Sequence, residues 1–169
     1  PVRWVRFFHE VGLEDVPLVG GKNASLGEMI RELSPLGVRV PEGFATTSEA
    51  YWHFLEHNGL KEAIARELGE LDPEDPKALQ RVSRRLRTLI LKGEYPQDLR
   101  EEILEAYRRL SEEAGEEEIP VAVRSSATAE DLPTASFAGQ QESFLYVQGE
   151  EDLLLHVKRA MASLFTARA

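Results

Sequence analysis

Apolar residues along this chain recur mostly at three-to-four spacing, with only short stretches of alternation. That pattern predicts amphipathic helices with a few brief strands between them. A helix is predicted over 24–33, where Leu26, Met29, Ile30 and Leu33 share one buried face and Pro35 with Gly37 ends the run. Residues 38–40 and 43–45 read as short extended pieces. Thr46-Thr-Ser-Glu49 has the form of a capping box, opening a helix through Tyr51, Phe54 and Leu55. Further helices are predicted over 60–68, 77–92 and 97–110, separated by the breakers Asp72-Pro-Glu-Asp-Pro76 and Gly93-Glu-Tyr-Pro96. Strand signals return at 119–124 and 142–147. A last helix turns Leu153, Leu154, Val157, Met161, Leu164 and Phe165 inward and leaves Glu151 and Lys158 outside. No repeat, linker or low-complexity tract divides the chain. The expected class is α+β, one unit of short strands with several amphipathic helices.

Composition narrows the partners rather than the fold. An apolar fraction of 42% over 169 residues suffices for a real core. The net charge of −10 argues against nucleic acid or an anionic membrane as a partner, since both would be repelled. The dense run Glu112, Glu113, Glu116, Glu117 and Glu118 reads as a solvated loop. Without cysteine there is neither a disulfide framework nor a thiolate nucleophile or metal ligand. The apolar run at Pro1–Phe8 is too short for a signal peptide, and no stretch approaches the length of a membrane span. The expected location is cytoplasmic.

Candidate chemistry gathers at Val121-Ala-Val-Arg-Ser-Ser126 and its continuation to Phe144. On a strand, Val121 and Val123 face a core while Arg124 faces the other way, so the guanidinium emerges where the strand ends. Ser125, Ser126 and Thr128 follow with little bulk, and an arginine there can grip phosphate oxygens with two parallel hydrogen bonds. On the residues alone, a polar turn with a solvated arginine fits equally well. Lys22 stands at a helix start, where the macrodipole disfavours a cation by about 0.3–1 kcal/mol and a bound anion would compensate. This is not a Walker P-loop: Val16 stands where the first glycine belongs and Asn23 where the metal-binding hydroxyl belongs.

Two blocks carry a resemblance. Val121–Phe144, including Ala138-Gly-Gln-Gln-Glu142, and Val19-Gly-Gly-Lys-Asn-Ala-Ser-Leu-Gly-Glu-Met29 with Val40-Pro-Glu-Gly-Phe-Ala-Thr-Thr47 resemble the nucleotide-binding domain of the phosphoenolpyruvate synthases, in the wider pyruvate phosphate dikinase family. The resemblance implies that 1–169 is the amino-terminal portion of an ATP-grasp-like domain. It further implies that Lys22 and Arg124 contact the ATP phosphates, and that Ser125, Gly139 and Gln141 lie against the nucleotide. The implied whole enzyme converts ATP, pyruvate and water to phosphoenolpyruvate, AMP and phosphate through a phosphohistidine on a swivelling domain. Pyruvate would bind to another domain still. The magnesium carboxylates are implied to lie outside this chain, so Glu130 and Asp131 read as solvated and the piece is not expected to turn over alone.

His9, His53, His57 and His156 lack the Gly/Thr-rich loop of the family's carrier histidine. His53 and His57, one helical turn apart, have no third metal ligand beside them and read as a polar helix face. Two alternatives stay open: another dikinase-type enzyme, such as rifampicin phosphotransferase or pyruvate phosphate dikinase itself, and an acidic helical interaction module without a nucleotide site.

Overall fold

The structure, a computed structural model, describes residues 3–126 and 142–166. Helix and strand mix as the periodicity predicts, but the strands form two separate antiparallel ribbons rather than one sheet. The first ribbon pairs β1 (Val5–Phe7) with β2 (Phe44–Thr46), in the register Val5 opposite Thr46 and Phe7 opposite Phe44. Its leading strand is held by α6 (Gln97–Glu113): one Glu102 carboxylate oxygen accepts the N–H groups of both Trp4 and Val5 at 2.9 Å, and Asp98 accepts the Trp4 indole N–H at 3.0 Å.

Between β1 and β2 the chain makes three 3-10 turns, a short helix α1 (Val16–Val19) and the longer α2 (Gly21–Leu33). Gly20, at φ 90 and ψ 160, breaks α1 from α2 in a conformation that favours glycine. The predicted inward face of α2 needs correction. Its buried residues are Ala24 and Gly27, whereas Met29 is 45% exposed. At Gly27 the helix backbone lies so close to the Val11 and Phe8 carbonyls that an added Cβ would sit 2.2 and 2.6 Å from their oxygens. Close backbone packing, not an apolar stripe, attaches this helix. Residues 38–40, expected to be extended, form no strand.

Helix α3 (Ser48–His57) begins one residue later than the capping box predicts. Thr46 is still paired with Val5, so Thr47 becomes the cap, its hydroxyl accepting the Ala50 N–H at 3.1 Å. After α4 (Leu60–Gly69), Asp75 caps α5 (Pro76–Lys92) through the N–H groups of Lys77 and Ala78. Proline at the first position has no N–H to lose. Helices α3, α5, α6 and the closing α7 (Glu150–Ser163) meet in the main core, where Phe54, Leu86, Ile90, Leu99, Ile103 and Tyr107 are fully buried. Each such side chain contributes about 1.5–3 kcal/mol through burial.

The second ribbon joins β3 (Val121–Arg124) to β4 (Ser143–Val147) and lies against α7. The Tyr107 hydroxyl ties its ends together, donating to the Ile119 carbonyl at 2.7 Å and accepting the Gly149 N–H at 2.9 Å. In α7, Leu154 is buried and Glu151 exposed as predicted, and Phe165, just past its end, is buried too. Lys158 is half-buried instead of exposed. Its ammonium lies over the Tyr95 ring, 5.8 Å from the centroid, and donates to the Gly93 carbonyl at 2.9 Å, so the charge is met by a ring face and an oxygen rather than by water alone.

Candidate functional site

Along β3, Val121 and Val123 pack against the core while Ala122 and Arg124 are exposed, the alternation that the sequence predicts. Arg124 pairs with Ser143 and Val123 with Phe144, but Val121 pairs with Val147, so β4 spends one residue more than β3 in between. That bulge falls at Leu145 and Tyr146, both strongly exposed, with Tyr146 at φ 57. Beyond Arg124, the Ser125 N–H donates to the Glu142 carbonyl at 3.0 Å, and the Glu142 N–H donates to the Ser125 hydroxyl at 3.0 Å.

Lys22 is the second residue of α2 and exposed. Gly20 has no side chain with which to cap the helix, and the first-turn N–H groups have no partner inside it. The Asn23 amide is turned back onto the Val19 carbonyl at 2.8 Å. The start of α2 thus combines a positive dipole end with an added cation.

Both cations open on one cleft of about 800 Å³, lined by residues 20–23, 46–48 and 121–126. Phe44, Leu153, Val157 and Met161 give it an apolar side. Tyr51 also lines it, and burial raises its phenol, which therefore stays neutral. Among the described residues, neither Lys22 nor Arg124 is in an ion pair. The cleft's one carboxylate among them, Glu42, lies 3.0 Å from His9 and also accepts the Gly43 N–H. Two uncompensated cations, a bare helix start and the Ser125 and Ser126 hydroxyls suit a polyanion beside an apolar group, the chemical form of a nucleoside phosphate. No group of three or more potential metal ligands occurs among the described residues.

The structure thus brings Lys22, Arg124 and Ser125 together. Gly139 and Gln141, like Glu130 and Asp131, lie outside the described residues. His53 stacks on Trp4 at 4.3 Å and its Nε2 lies 2.9 Å from Asp98, whose carboxyl that hydrogen bond pulls below its ordinary range. His156 contacts the Asp152 carbonyl and the Phe144 ring. Neither lines the cleft. Sequence reasoning did not place Glu42 or Thr47 at the site. The only signal was their position in the Val40–Thr47 block, which says nothing about what they face.

Comparison with known proteins agrees with this geometry. Residues 16–169 match the family described as pyruvate phosphate dikinase, AMP/ATP-binding domain. The phosphoenolpyruvate synthase of Helicobacter pylori is 51% identical over 99% of this chain, which covers 21% of that protein. That of Aquifex aeolicus is 53% identical over 98% of the chain, and 19% of its own length is covered. That of Escherichia coli is 48% identical over 98% of the chain, with 21% covered. The chain spans about a fifth of the length of these curated relatives. It belongs to the pyruvate phosphate dikinase AMP/ATP-binding domain family.

Proposed function

We propose that this family member is the ATP-holding portion of a phosphoenolpyruvate synthase, with Lys22 and Arg124 gripping the triphosphate from two sides of one cleft. The observation that carries the reading is the convergence on that cleft of a bare helix start and two cations that have no ion-pair partner among the described residues. Neither residue is an acid, a base or a nucleophile. Their part is to position the phosphates and to offset charge that grows during phosphoryl transfer.

In the whole enzyme, ATP, pyruvate and water would give phosphoenolpyruvate, AMP and phosphate through a histidine on a swivelling domain, with pyruvate held elsewhere. The domain would be of ATP-grasp type and the enzyme cytoplasmic, serving gluconeogenesis. Magnesium, when bound, supplies further charge neutralisation. Its ligands would come from outside the described residues, because Glu42 is already engaged by His9 and the Gly43 amide. Ser125 lines the same cleft and would border the phosphates, and Gly139 and Gln141 would join the nucleotide contacts by resemblance.

The test is Arg124→Lys in the full-length enzyme. Lysine keeps the charge and loses the planar fork. With a loss of about 2–4 kcal/mol at a phosphoryl site, kcat/KM should fall by roughly two to three orders of magnitude, mostly in kcat, with the fold intact. Activity near wild type would reduce Arg124 to a solvated strand end.

A further inference from the structure

We propose that Ser125 is a positioning residue for Arg124, because its hydroxyl takes the place of a backbone carbonyl in the rung of the second ribbon that follows Arg124. The inference rests on the reading of Arg124 as a phosphate contact. In an antiparallel pair the closely bonded residues exchange two N–H···O=C bonds, and such pairs alternate with non-bonded ones. Arg124 and Ser143 are register partners, so Ser125 and Glu142 are next in line. One bond of their exchange is ordinary, from the Ser125 N–H to the Glu142 carbonyl at 3.0 Å. The other is not: the Glu142 N–H reaches the Ser125 side-chain oxygen at 3.0 Å.

Two consequences follow for Arg124. The chain can turn away from the ribbon immediately after it, since the Ser125 carbonyl is no longer committed to the ladder. At the same time Arg124 stays fixed on both sides, by the Val123 pairing behind it and by the side-chain rung ahead. Ser125 is only 8% exposed, so water competes poorly for the rung. The contact joins positions 17 apart in sequence, and without it the end of β3 would be free to fray. A guanidinium that meets phosphate with two parallel bonds needs its backbone held to a fraction of an ångström, and this clasp supplies that constraint.

The experiment measures kcat and KM for ATP in the full-length enzyme, with amide hydrogen exchange at Glu142 and melting temperature alongside. Ser125→Ala should speed exchange at Glu142 and lower kcat/KM by about tenfold, mostly in kcat. Ser125→Thr, which keeps an acceptor oxygen, should restore both. Ser125→Cys, of similar size but a weak acceptor, should behave like alanine and serves if the alanine variant folds poorly. In an Arg124→Ala background, Ser125→Ala should cost clearly less than in the parent enzyme, since there is no guanidinium left to position and only the serine's own contact remains. Fully additive losses in the double variant would overturn the proposal, as would wild-type kcat/KM in the cysteine variant with Glu142 deprotected. If Arg124→Ala alone leaves kcat/KM unchanged, the phosphate reading of Arg124 itself is what fails.

Discussion

The two ribbons are built alike and stabilised differently. β1 and β2 pair in simple register, bury Val5 and Phe7, and are held from outside by carboxylates of α6. β3 and β4 pair through a bulge, expose Leu145 and Tyr146, and carry a side-chain rung next to an arginine that has no ion pair among the described residues. The first ribbon is anchorage; the second trades regularity for the placement of one functional group. Natural ladders break their local rules where function demands it, and here the irregularity lies within a few residues of Arg124.

The largest stability effect should come from the anchored side. Phe7 is 3% exposed, packs tilted against Phe44 at 5.9 Å between ring centres and lies under the Arg109 guanidinium. Phe7→Ala should cost about 3–5 kcal/mol, read as a fall in the denaturant midpoint at unchanged slope. A loss below about 1 kcal/mol would erase the contrast. Gly27→Ala comes next. Its added Cβ meets two backbone carbonyls of the segment that follows β1, which cannot swing aside, so a loss of about 1–3 kcal/mol is expected from thermal unfolding.

Acid should then loosen the anchored ribbon. The Arg3 guanidinium, bonded to Glu10 at 2.7 and 2.9 Å, holds that carboxyl down to about 2. A folded-state pKa lower than the unfolded one gives stability that is present above the unfolded value, about 4.3, and lost as pH falls through the folded one. Stability should therefore decline between those limits, and Glu10→Gln should make that decline shallower. The smallest effect belongs to the bulge. Tyr146 adopts φ 57 with its ring exposed, so Tyr146→Gly removes backbone strain at little packing cost and should shift stability by less than about 1 kcal/mol, in the favourable direction. A marked loss would mean that the ring is held by something other than its backbone.

The amino-acid pattern made the helices around Leu86, Ile103 and Leu154 legible because their stripes face one continuous core. It missed β1, whose three residues are too few for alternation to register, and which is fixed by pairing with β2 and by Glu102, nearly a hundred positions away, accepting the Trp4 and Val5 N–H groups at its start. It misread α2 because contact through Gly27 leaves no apolar signature. Lys22 and Arg124 were each readable from neighbouring glycines, serines and alternation. That they share a cleft depends on tertiary packing that no local window records.

The Tyr107 bridge bears on which insertions and deletions the chain tolerates. Its hydroxyl meets Ile119 and Gly149 only in the present rotation of α6. One residue added or removed within that helix before Tyr107 would turn the hydroxyl away by about 100° and leave both backbone groups searching for partners. The same change among residues 72–74, an exposed connection ahead of the Asp75 cap, would turn nothing. Length variation among relatives should therefore collect in the second place and avoid the first.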